Sequence, residues 1–135
     1  MNKVTLSKQN AKQWIVFGAI ICALYVVLGA FGSHGLEGKL TTKQLNTYET
    51  GLRYMIIHGI GLITTNLSYT VFDKFNVWPN RFALAGLLLF SVSLVIHATK
   101  DLLGINLNVF ALLAPLGGIS YILFWTFFAI TISKK

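Results

Sequence analysis

The sequence predicts an all-α membrane protein, a polytopic bundle of four transmembrane helices with a short interfacial helix between helices 1 and 2. Three observations carry that expectation. Of the 135 residues, 55% are hydrophobic and 11% charged, whereas a soluble domain carries about a quarter charged residues. Four stretches, residues 14–32, 54–72, 82–99 and 102–133, contain no Asp, Glu, Lys or Arg, and each suits the ~20 apolar residues that a helix needs to cross the hydrocarbon core. The eleven Lys and Arg, which set a net charge of +7, gather at the edges of these stretches. They read as topology signals, not as the basic stripe of a nucleic-acid-binding fold.

The helices are expected at about 14–32, 53–72, 81–99 and 109–132 of a single integral membrane domain, 1–135. The first follows Lys3, Lys8 and Lys12. Its 19 residues exceed the ~7–15 of a signal-peptide core, so it reads as a span and not a leader to be cleaved. Thr41 or Thr42 can cap the interfacial helix, with Gln44 completing a capping box after Thr41. Leu45, Tyr48 and Leu52 recur there at helical spacing. Glu49 and Arg53, four apart with the acid first, are placed to form an exposed helical pair.

The fourth apolar run is 32 residues long, more than one crossing requires. Asn106 and Asn108 mark its start, and Pro115 before Gly117 and Gly118 marks a bend. A proline frees a carbonyl that lipid cannot satisfy, and Ser91, Ser93, Thr64, Thr65 and Asn66 could supply its partner.

Positive charge is retained on the cytoplasmic side. With the N-terminus inside, that side holds Lys3, Lys8, Lys12, Lys74, Arg81, Lys134 and Lys135 against Lys39, Lys43, Arg53 and Lys100 opposite, seven to four. Both termini are therefore expected in the cytoplasm, with Trp14 and Trp78 as interfacial anchors.

This topology puts His34, His58 and His97 towards the outer side. Ionisable groups at membrane depth mark candidate functional positions. No acidic residue lies inside an apolar stretch to support a metal or a proton relay, so neither metal nor cofactor is expected. Paired carboxylates, HExxH, a Walker loop and Gly-x-Ser-x-Gly are all missing, and the chain does not read as an enzyme. One cysteine, Cys22, cannot make an intramolecular disulfide. Glycines at Gly18, Gly29, Gly32, Gly117 and Gly118 permit close helix approach.

Four ordered motifs resemble the YgdD-like small inner-membrane proteins classed as domain of unknown function 423. Gly29-Ala30-Phe31-Gly32-Ser33-His34-Gly35-Leu36 is similar to that family's Gly-Ala-Phe-Gly-Ala-His-Gly-Leu. Thr50-Gly51 with Tyr54 and His58 resembles Thr-Gly-x-x-Tyr-Gln-x-x-His, with Met55 in place of Gln. Residues 90–95 resemble Phe-Ser-Gly-Ser-Leu-Tyr, with Val92 and Val95 replacing Gly and Tyr. Ala114-Pro115-Leu116-Gly117-Gly118, with Trp125 beyond, resembles Thr-Pro-x-Gly-Gly and a later Trp.

The resemblance implies a four-helix protein of the bacterial inner membrane with no assigned activity. His34, Tyr54 and His58 are its candidate polar cluster, and Gly29, Gly32, Gly35, Gly51, Pro115, Gly117 and Gly118 its packing and bend positions. The expected role is a structural, interaction or accessory component that meets the lipid bilayer and a second copy or a membrane complex. The alternative is an oligomeric small-solute or proton pathway with His58 and Tyr54 near its outer mouth.

Overall fold

A computed structural model describes residues 3–104 and 109–134. Among them the chain is helical: α1 (Lys3–Ala30) runs into a π-helical turn, π1 (Phe31–Gly35). Next come α2 (Thr42–Val71), then α3 (Val77–Gly86), a second π-helical segment π2 (Leu87–Val92) and α4 (Ser93–Thr99) end to end as one rod, and α5 (Val109–Ser133). Three stretches, Ser7–Gly35, Val77–Thr99 and Leu112–Ser133, are long and apolar enough to cross a membrane. The fourth expected span, within α2, is not apolar enough, and its place in the bundle explains why. It is the central helix, and it turns His58, Thr65, Asn66 and Tyr69 inward, all of them buried. A helix shielded by its neighbours can carry polar groups that find partners, as His58, Thr65 and Asn66 do.

The expected interfacial helix is not a separate element. Thr41 caps α2 itself, accepting from the Gln44 amide while the Gln44 side chain accepts from the Thr41 backbone, and the helix then runs unbroken for 30 residues. Nor do Tyr48 and Leu52 lie in an interface. They are core, packed with Ile21, Leu36 and Met55. Gly32 makes this possible, because a Cβ there would stand 2.7 Å from the Tyr48 ring. The ring can then bury itself and donate its hydroxyl to the Leu28 carbonyl at 2.7 Å.

Contacts along the helices fix an up-down-up-down order. α2 returns beside α1 over nearly its whole length. Lys8 meets Asp73 at 3.6 Å, a Cβ on Gly18 would stand 2.7 Å from the Gly59 carbonyl, and Tyr48 reaches Leu28. The 77–99 rod runs back beside α2, where a Cβ on Gly51 would be 2.8 Å from the Ser91 carbonyl. At the opposite end of that contact Asn66 and Asn80 exchange two hydrogen bonds, 2.8 and 3.0 Å, with both side chains fully buried. Asn80 follows the start of α3, where Asn76 caps the Trp78 amide and Pro79 occupies the first turn, in which its missing N–H costs nothing.

α5 closes the bundle against the rod. Gly117 lies so near the Leu89 and Phe90 backbone that no Cβ fits, and Gly86 lies as close to the Tyr121 ring. Lys74 donates to the carbonyls of Ile132 and Lys134, and Asn76 donates to Thr131, tying the α2–α3 connection to the end of α5. At the other end Gln44 donates to Asp101 at 2.7 Å. α5 continues through Pro115, which is exposed. Asn106 and Asn108 lie outside the described residues.

Each side chain considered as a partner for the carbonyl freed by Pro115 is bonded elsewhere. Ser91 pairs with Tyr121, Ser93 with Leu89 and Phe90, Thr64 with Ile60 and Gly61, Thr65 with Gly61 and Leu62, and Asn66 with Asn80 and Leu62. Trp78 is exposed near the start of α3, with the Arg81 guanidinium 5.2 Å from its ring centre. That arrangement suits an amphipathic anchor.

Candidate functional site

The candidate site grows from helical spacing on two elements. On α2, Tyr54, His58 and Gly61 recur along one face, and on α5, Tyr121, Phe124 and Trp125 do the same. Glycines cut the slots between them. A Cβ on Gly61 would stand 3.0 Å from the Phe124 ring and 3.2 Å from Trp125, and Gly86 leaves room for Tyr121. The Tyr121 and His58 rings stack with centroids 3.4 Å apart and planes 13° from parallel. Phe124 meets the imidazole edge-on at 5.7 Å. Tyr54 lies 4.5 Å from Phe90 and 6.0 Å from Tyr121, and the Tyr121 hydroxyl pairs with Ser91 at 2.8 Å.

Both imidazole nitrogens are committed. Nδ1 lies 2.8 Å from the Tyr54 carbonyl, which only accepts, so Nδ1 carries the proton. The Trp125 indole N–H lies 3.2 Å from Nε2 and only donates, so Nε2 accepts. These partners specify one neutral tautomer. His58 retains 4% of its surface, and neither described cavity of the protein is lined by it. The arrangement ties α2, π2 and α5 together. It presents no free nitrogen for a ligand, and a proton could enter at Nε2 only by displacing the Trp125 bond.

His34 does not join this cluster. It lies exposed in π1 and is not among the ring or hydrogen-bond partners of His58. His97, half-buried near the end of α4, is likewise not among them. Among the described residues no group of three or more His, Cys, Asp or Glu is placed to hold a metal. The glycines singled out in the sequence divide. Gly32, Gly51 and Gly117 lie at close helix contacts, a Cβ on Gly35 would press on Phe31 of its own turn, one on Gly118 would stand 3.8 Å from the Phe90 ring, and Gly29 faces open space. The reading of the sequence missed Tyr121, Asn80 and the π2 segment. The one available signal was the four-residue spacing of Tyr121 and Trp125, two amphipathic rings on an otherwise apolar helix.

The apolar spans and inward-turned polar groups define a helical membrane protein. The profile of the family described as "Protein of unknown function (DUF423)" matches residues 28–118. The UPF0382 membrane protein YwdK of Bacillus subtilis is 34% identical over 128 residues, covering 91% of this chain and 98% of its own. UPF0382 membrane proteins of Staphylococcus haemolyticus and Staphylococcus epidermidis are 34% and 33% identical over 124 residues, with 91% of this chain and 97% of theirs covered. The chain belongs to the DUF423 family of small membrane proteins, as its four motifs led us to expect. No solved structure matches it significantly.

Proposed function

We propose that this chain is a four-span structural or accessory component of the bacterial inner membrane, with both termini cytoplasmic, and that it acts by association with a second copy or with another membrane complex. The single observation that carries this reading is the saturated, buried His58. A transport or relay role would need a histidine nitrogen bonded to water or to another titratable group, and this one is held between rings with its nitrogens on the Tyr54 carbonyl and the Trp125 indole.

Four crossings are supported by the pairing of α1 and α2. If α1 spans the bilayer, a helix packed antiparallel from Lys8–Asp73 to Leu28–Tyr48 crosses with it. The seven-to-four bias of Lys and Arg supports cytoplasmic termini. Because Gly32, Gly51 and Gly117 are used inside the chain, a partner would meet the outward faces of α1 and α5 instead. There Val16, Ile20 and Leu24, and Leu112, Leu116 and Ile119, are exposed.

Extraction from the native membrane in mild detergent, followed by mass spectrometry of what co-migrates, tests the association. The expected result is one partner at fixed stoichiometry or a homogeneous self-assembly. A monodisperse monomer with nothing reproducibly attached would contradict the proposal.

A further inference from the structure

A second feature lies apart from the histidine cluster. Between the end of α1 and the first turns of α2 is a cavity of about 510 Å³, lined by Tyr25, Gly29, Gly32, Ser33, Glu37, Leu45, Tyr48, Glu49, Leu52 and Arg53. Its size is that of a small-molecule site, about 300–1,000 Å³. The pair expected between Glu49 and Arg53 is not formed. Among the described residues neither has an ion-pair partner, nor has Glu37, and all three residues line the cavity. One cation and two carboxylates are thus gathered around one space without neutralising one another.

The floor is finished. Tyr48 and Leu52 are buried, and the Tyr48 hydroxyl is spent on Leu28. Gly29, which is half-buried, adds no side chain, and a Cβ on it would meet nothing within 4 Å.

We propose that this cavity binds the zwitterionic headgroup of an ethanolamine phospholipid, with the phosphate on Arg53 and the ammonium on Glu37 and Glu49. Depth, charge and geometry select that ligand. The cavity sits where the apolar stretch Ser7–Gly35 ends and the charged connection begins, the level of a bilayer's headgroups. Guanidinium pairs with phosphate through its planar fork of donors, and a primary ammonium offers N–H donors to carboxylates. An anionic glycerol headgroup would place its charge beside Glu37 and Glu49 with nothing to offer them. A choline headgroup has the charge but no N–H to donate. Leu45, apolar and half-buried, also lines the cavity and suits the start of an acyl chain.

Native mass spectrometry of the full-length protein, in detergent micelles holding equimolar phosphatidylethanolamine, phosphatidylglycerol and phosphatidylcholine, tests the assignment. One phosphatidylethanolamine per chain is expected at about tenfold or more the occupancy of either competitor. Arg53→Gln should lower that occupancy about tenfold or more, as loss of a charge-assisted bond does. Gly29→Leu should do the same by filling the space while leaving the unfolding temperature unchanged. Equal retention of the three lipids would overturn the proposal, as would unchanged retention in both variants. Displacement by soluble O-phosphoethanolamine at concentrations comparable to the lipid's would overturn the lipid as ligand in favour of a soluble phosphate ester.

Discussion

Gly117→Ala is expected to cost about 3 kcal/mol, the upper part of the range for overpacking a filled interior. A Cβ at this position meets the backbone of Leu89 and Phe90, and backbone inside a helical segment cannot swing aside as the tip of a side chain can. Either α5 must withdraw from the rod, breaking the Ser91–Tyr121 hydrogen bond and the Tyr121–His58 stack, or π2 must rewind. Gly29→Ala supplies the control. It introduces the same methyl group into α1 where nothing lies within 4 Å, and it replaces a flexible residue by a helix former, so no loss is expected. Thermal unfolding of the two variants in one detergent should separate them widely. Equal behaviour would mean that α5 does not approach the rod as closely as described.

Asn66→Leu is expected to destabilise by about 2 kcal/mol, because it leaves the Asn80 carboxamide buried without its partner, and an orphaned buried amide costs about 1–3 kcal/mol. Asn80→Leu should cost a similar amount. The double variant should cost about 2.5 kcal/mol, less than the ~4 kcal/mol sum of the two, since two apolar side chains leave no orphaned amide. In a double-mutant cycle the coupling should be about 1.5 kcal/mol, near the top of what is measured between membrane helices, because two bonds form between side chains of no exposed area. Additive losses would show that the pair is not a unit. The amides would then be bonding to their own helices, as Asn66 also does to the Leu62 carbonyl.

The spans around α1, the 77–99 rod and α5 were legible because lipid demands long charge-free runs, and those are written directly in the sequence. The Thr41 cap was legible for a similar reason, since Gln44 stands three residues along the chain and the interaction is local. The burial of Tyr48 and Leu52 was not, because the same period of apolar residues fits an interfacial helix and the start of a buried one. What decided between them was Gly32, sixteen residues away, opening the slot that Tyr48 fills.

The site shows the same division. Tyr54 and His58 stand one turn apart and their juxtaposition follows from helical spacing, whereas their partners come from α5. Apolar residues occur all around that helix, so no pattern announces which face meets His58. The Asn66–Asn80 pair bridges two helices across a connection, and Asn80 beside Pro79 reads locally as part of a turn. Residue type alone does not encode the π-helical turns. His34 was grouped with Tyr54 and His58 from the sequence, yet π1 holds it at the exposed end of α1.

The sealed interior can be probed most directly at Ser91, because Ser91→Cys changes one atom of a side chain with no exposed area that pairs with Tyr121 beside the His58 stack. In a Cys22→Ser background, with Lys39→Cys as the exposed reference, a charged, water-soluble thiosulfonate should label position 39 and leave position 91 untouched from either side of the membrane. Labelling of position 91 at a rate comparable to position 39 would place water beside the His58 cluster, contradicting a closed structural bundle and pointing to a pathway through it.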